Sequence, residues 1–366
     1  MGTRNRLSIA YYISAHGYGH GVRSCNIIRA INELYPQLTV QIISDLPLSF
    51  LSGHIGSAQN PVRAGSYDTG MVQIDSIRVD VEASLAKVEQ LYTSRQELVA
   101  GESAYLRENS ISVIIADIPG IPIESAFNLG IPRLAVGNFS WDWIYSEFIT
   151  RDLRWKSIVE AFREQYAKTD LLLRLPFCDT MEAFPHIEDI PLVASPGRAQ
   201  RDVIAKIAGC DPNKKWILLS FTTLDWSENA LANVEKIRDC EFFTILPLFW
   251  VGRNIHPIDR KLVSFSDMIA SVDAVVSKPG FGILSDCIVN QKPLIYAERA
   301  DFLEYAVLEA AIQKYLRHVH IPAEDLYRGE LSPSLDRIWK SAGPPFNLPH
   351  GGDQIAARRI AQFIGL

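Results

Sequence analysis

The chain has 366 residues, 48% hydrophobic and 21% charged, which is apolar side chain enough for two cores and excludes long disordered stretches. Its 36 Lys and Arg against 42 Asp and Glu give a net charge of -6, so no global field exists to hold a nucleic-acid backbone, and any anionic ligand is bound locally. Five scattered cysteines without C-x-x-C spacing exclude a zinc or dithiol motif and fit a reducing, cytoplasmic compartment.

The amino terminus, MGTRNRLSIAYYIS, has no apolar stretch ending in a cleavage site, and no run is long enough to span a bilayer, which leaves only peripheral contact with a membrane open. Leu7 to Ile13 reads as the first strand and Val22 to Leu34 as the first helix. Between them lies Ser14-Ala15-His16-Gly17-Tyr18-Gly19-His20-Gly21, a glycine-rich bend whose N–H groups can approach an anion. It matches neither the G-x-G-x-x-G fingerprint nor a P-loop, which weakens a dehydrogenase or kinase reading. Its two imidazoles, His16 and His20, trade protons near neutral pH, so one is the candidate base for an acceptor hydroxyl. The competing structural reading is a tight turn with capping histidines.

Further strands are expected at Val40 to Ser44, Val113 to Ala116 and Arg133 to Val136, with a helix at Pro122 to Leu129. Asp117 ends one strand and is a secondary base candidate. After another comes Asn138-Phe139-Ser140-Trp141-Asp142-Trp143-Ile144-Tyr145, whose aromatic faces and polar groups suit an acceptor; Asn138, Trp141 and Asp142 are its candidates, and a packing element is the equal alternative. Arg78-Val79-Asp80-Val81-Glu82 superficially suggests metal-binding carboxylates and receives low weight; no metal ligand and no cofactor is assigned.

From Leu175 to Arg198 the periodicity stops and prolines gather, marking the crossing between domains. Strands resume at Trp216 to Phe221, Phe242 to Leu246, Ala274 to Ser277 and Pro293 to Tyr296, with helices at Gly282 to Val289 and Tyr305 to Lys314. The second bend, Lys278-Pro279-Gly280-Phe281-Gly282, adds a mobile cation to the N–H groups of a helix start, which suits a diphosphate. Asp286, about one turn later, is within reach of a ribose, or is a solvated surface group. Phe265 and Met268 offer a nucleobase an apolar face or belong to the core, the core being favoured for Met268. Glu298, Arg299 and Asp301 form a charged rim for sugar hydroxyls or phosphate, or a solvated loop. A terminal helix is expected over Asp353 to Ile364.

SKPGFGILSD followed by KPLIYAERADF resembles the donor-binding half of GT-B glycosyltransferases, including the enzyme that adds N-acetylglucosamine to the peptidoglycan lipid precursor. YYISAHGYGHGVR together with NFSWDWIY is similar to the glycosyltransferase-like amino-terminal region of plant L-arabinokinases and their stand-alone bacterial relatives, a resemblance over nearly the whole chain. It implies an α/β fold of GT-B type, two Rossmann-like domains facing each other across a cleft. Residues 1–185 would form the acceptor side, 190–348 the nucleotide-sugar side and 349–366 a helix packing back on the first. It also puts Lys278, Gly280, Gly282 and Asp286 on donor-binding positions, and the loop from His16 to His20, with Gly17 and Gly19, toward the reacting sugar.

Arabinokinases continue into a sugar-kinase domain that is not expected after Leu366, so kinase activity does not carry over. Ser220-Phe221-Thr222-Thr223 stands where many GT-B enzymes have a glycine-rich loop, and hydroxyls there would replace backbone contacts to phosphate. The expected activity is sugar transfer from a nucleotide-diphosphate sugar, a UDP-sugar first, to a small-molecule, glycan or lipid-linked acceptor, inverting and metal-independent. The rivals are a nucleotide-sugar epimerase or hydrolase on the same scaffold, and a non-catalytic nucleotide-sugar binding protein.

Overall fold

A computed structural model describes residues 7–56, 60–344 and 346–366. Residues 1–6, read above for a leader, lie outside them. The chain divides into two compact units, residues 1–72, 80–194 and 350–366 in the first and 73–79 and 195–349 in the second.

The first unit is built on β1 (Ser8–Ile13), β2 (Thr39–Ile43) and β3 (Val62–Arg63). Then β4 (Val72–Gln73) and β5 (Val79–Asp80) mark the ends of the 73–79 excursion. The unit is completed by β6 (Val113–Asp117), β7 (Arg133–Gly137), β8 (Leu171–Arg174) and β9 (Ile187–Asp189). Its sheet runs β3-β2-β1-β6-β7-β8-β9 and its pairs are parallel, so the order reverses between β1 and β6. All six residues of β1 are buried, as a central strand covered by helices on both faces requires. Ile9, Tyr11 and Ile13 share one core with Ile27 and Ile28 of the helix Tyr18–Leu34 and with Ala356 and Ile360 of the last helix, Gly352–Phe363.

The second unit repeats the plan with β10 (Lys215–Ser220), β11 (Cys240–Ile245), β12 (Ile255–Ile258), β13 (Ala274–Ser277), β14 (Leu294–Ala297) and β15 (His318–Ile321). Here the order is β12-β11-β10-β13-β14-β15, again parallel, with the reversal between β10 and β13. Ile217, Leu219, Phe242 and Val276 face Leu335 and Ile338 in a separate core. Among the described residues no helix is long and apolar enough to cross a membrane.

The first helix starts four residues earlier than periodicity suggests, so the glycine-rich stretch is mostly helical. Gly17 is its N-cap, while Gly19 and Gly21 lie inside it. A Cβ on Gly21 would fall 2.4 Å from Phe50 Cε1 and 2.7 Å from Leu46 Cδ1, so that glycine serves packing. The space beside Gly17 and Gly19 is open.

Candidate active site

In open parallel sheets ligands bind beyond the carboxyl ends of the strands where the order reverses. At that point of the first unit, the loop after β1 carries His16 and the helix Tyr18–Leu34 carries His20, Arg23 and Ser24. Positions three and four apart share a helix face, so all three side chains meet one partner, Asp117 at the end of β6. His20 Nδ1 lies 3.1 Å from both Asp117 oxygens, Ser24 Oγ donates to Oδ2 at 3.0 Å, and the Arg23 guanidinium donates to Oδ1. Arg23 also donates to Asn138 Oδ1 at 2.5 Å, tying in the end of β7.

Asp117 is 0% exposed, and burial alone would raise its pKa; Arg23, His20 and their hydrogen bonds outweigh that and hold the carboxyl below its usual value. With its proton on Nδ1, His20 donates to the Asp117 carboxylate and keeps Nε2 as the basic nitrogen; Arg23 Nη2 also lies 3.0 Å from Nδ1.

Beside this cluster, Asp68 accepts from Ser14 Oγ at 3.0 Å and from Trp141 Nε1 at 2.9 Å, and Ser14 Oγ in turn lies 3.3 Å from the His16 N–H. The His16 ring packs edge-on to Trp141 and against Gly70, whose φ of 62° and whose missing Cβ the ring requires. Burial pushes the Asp68 carboxyl up to about 6, against the pull of the indole N–H, His20 and Ser14.

Trp141 is 1% exposed and stacked on Tyr145, so the aromatic run forms the wall behind the histidines and not an exposed platform. Asp142 is buried with Oδ2 3.2 Å from Arg163 Nε. His16, His20, Asp117, Asn138 and Trp141 thus come together. Asp68 escaped sequence reading because it sits in no periodic or motif context, and Arg23, though inside the first motif and helix, was given no role because its partners Asp117 and Asn138 lie about a hundred residues away. Asp80 caps the helix Val81–Thr93 by accepting from Ala83 N–H at 2.9 Å, which accounts for that carboxylate.

In the second unit, candidates gather beyond the carboxyl ends of β12, β13 and β14. Lys278 and Pro279 follow β13, Gly280 is the N-cap of the helix Phe281–Val289 with no side-chain cap, and Phe281 and Gly282 open that helix. Arg299, 8% exposed, stacks on Phe302 with its carbon 3.1 Å from the ring centroid. It lies 3.7 Å from Glu304 and 3.4 Å from Pro279 O. Its Nε and Nη2 have no hydrogen-bond partner among the described residues. Burial and the Arg299 charge bring Lys278 down to about 7, with Glu304 opposing, and burial takes Arg299 down to about 10. Two basic side chains beside an uncapped helix start, one with buried unpaired N–H groups, form an arrangement chemically suited to an anion.

Asp286, half-buried on the same helix, is pushed by burial to about 7. Glu298 accepts from Ala323 N–H at 2.8 Å and lies 2.8 Å from His320 Nε2, so it is engaged at the start of the helix Ala323–Tyr327. Asp301 occupies the left-handed region at φ 59°, in the bend before Phe302. Phe265 is half-buried at the start of the helix Phe265–Ser271, beneath Arg260, while Met268 is core.

The fold is GT-B, two Rossmann-like units in sequence. Arabidopsis thaliana UGT89C1 complexed with quercetin matches it with a TM-score of 0.63 at 12% identity, covering 98% of this chain and 94% of that one. Medicago truncatula UGT71G1 complexed with UDP-glucose matches with 0.61 at 11%, covering 98% of each. In sequence the chain is similar to the L-arabinokinase of Arabidopsis thaliana, 28% identical over 369 residues, which covers 97% of this chain and 34% of that protein. It therefore spans about a third of the length of the curated relative it matches. No family model matches the chain.

Proposed function

We propose that the chain is a glycosyltransferase that moves a sugar from a nucleotide-diphosphate sugar to a hydroxyl or amine acceptor. The observation that carries this reading is the His20–Asp117 pair at the reversal point of the first sheet. Asp117 holds the Nδ1 proton, and Nε2 takes the acceptor's proton as its oxygen or nitrogen bonds to the anomeric carbon. The bond from that carbon to the diphosphate breaks, and the electron pair leaves with the phosphate oxygen. Lys278, Arg299 and the start of the helix Phe281–Val289 carry the growing negative charge, which is the basis for transfer without a metal. Direct displacement inverts the anomeric centre. The likeness to a chain complexed with UDP-glucose makes UDP-sugars the first donors to try.

The test is a thermal-shift screen of UDP-, GDP-, dTDP- and ADP-sugars, followed by turnover with an acceptor panel. His20→Ala should lower transfer about 10²- to 10⁴-fold, the usual contribution of a positioned general base, while sparing donor binding. Lys278→Ala should impair donor turnover in a folded protein. Turnover of the donor alone at full rate would establish an epimerase or hydrolase, and unimpaired transfer by His20→Ala would end the reading.

A further inference from the structure

Residues 73–79 belong to the second unit although the chain on both sides belongs to the first. Within that stretch Ile77, 3% exposed, enters the second core with Phe221, Leu224 and Trp226. Next to it, Ser76 and Thr223 pair reciprocally: the Ser76 N–H donates to Thr223 O at 3.3 Å, and the Thr223 N–H donates to Ser76 Oγ at 3.2 Å. Asp75 stiffens the stretch, since its carboxylate accepts from the N–H groups of Ile77 and Arg78, from the Arg78 guanidinium and from Tyr327 Oη at 2.8 Å.

The partner in this clamp is the turn that follows β10, beside the Lys278 bend that follows β13. The two turns are linked directly, with Ser277 Oγ donating to Ser220 O at 2.8 Å. A glycine-rich loop binds phosphate through free N–H groups, but Thr223 has committed its own to Ser76. What the turn keeps outward are the side chains of Thr222 and Thr223, both exposed, held between the buried anchors Phe221 and Leu224.

We propose that residues 73–79 are a positioning element of the donor site, in which Ser76 holds the turn after β10 so that the Thr222 and Thr223 hydroxyls meet the donor's phosphate. The inference rests on the donor reading above. Removing the Ser76 hydroxyl frees the Thr223 N–H and loosens the turn without touching the Lys278 bend.

The full chain is titrated calorimetrically with UDP, GDP, dTDP and ADP, as parent, Ser76→Ala, Ser76→Thr, Lys278→Ala and the double variant Thr222→Ala/Thr223→Ala. The expected result is binding of one nucleotide by the parent, loss in Lys278→Ala, and weakening of about tenfold in Ser76→Ala and in the double threonine variant. Ser76→Thr, which keeps the hydroxyl, should restore the parent affinity, and the melting temperature of Ser76→Ala should stay near the parent's. No binding by the parent, or undiminished binding by Lys278→Ala, overturns the donor reading. Lost binding in Lys278→Ala with parent affinity in Ser76→Ala overturns the clamp alone. A weakened Ser76→Ala that Ser76→Thr fails to rescue overturns it as well.

Discussion

Asp68 and Asp117 lie in one buried cluster, yet their pKa values are driven in opposite directions because their donors differ. Asp117 faces the Arg23 guanidinium, whereas Asp68 accepts hydrogen bonds from a neutral hydroxyl and an indole. With a folded pKa of about 6 against an unfolded value of about 3.9, Asp68 makes the native state bind more protons than the unfolded one between those limits. Its contribution to stability therefore falls as pH rises from about 4 to about 6, by about 3 kcal/mol at 1.36 kcal/mol per unit. Asp117 works the other way, stabilising above the unfolded carboxylate pKa and ceasing to as pH falls through its depressed folded value. Asp68→Asn should flatten the loss on going from about pH 4 to about pH 7, as measured by urea unfolding at both; an unchanged slope would place the proton elsewhere.

At the scale of elements, the helix Phe281–Val289 and the β14 loop bring Lys278 beside Arg299, and burial, with the Arg299 charge second, lowers the Lys278 pKa. Lys278 at about 7 is largely neutral at pH 8, and an arriving diphosphate restores its charge. Nucleotide binding should therefore take up a proton near pH 8 and weaken as pH rises beyond about 7. Calorimetry in buffers of different ionisation enthalpy would detect the uptake, and Lys278→Arg, permanently charged, should abolish it. The glycines at this bend and at the first one were legible because special residues mark strand-to-helix turns. Gly21 shows the limit of such reading, since its reason lies in Phe50 and Leu46, far along the chain.

For the whole molecule, the chain runs from the first unit to the second and back, and the last helix completes the core where the chain began. Gly352 permits that return, because a Cβ there would sit 2.0 Å from Pro191 O. Ile360→Ala should destabilise the first unit by about 2–5 kcal/mol, the usual range for such a core truncation. Hydrogen exchange should show faster opening in β1 and β6 and no change in β10 and β13; equal acceleration in both would mean one cooperative unit.

Strand and helix succession, the parallel α/β class and the two special bends were determined by the sequence itself, because periodicity and glycine placement are local consequences of backbone geometry. Ala274 to Ser277 was read to the residue and the seven other strands that were read came within two, while β3, β4, β5, β8, β9, β12 and β15 were not read. Short strands such as β12 and β15 and the polar helix Arg95–Glu108 left little apolar pattern to read. Only the tertiary structure decided that Asp117, from β6, receives His20, Arg23 and Ser24, that Trp141 is wall, and that Ser76 serves Thr223. Those pairings join residues dozens to more than a hundred positions apart, and burial, which sets their charge states, exists only once the chain has folded.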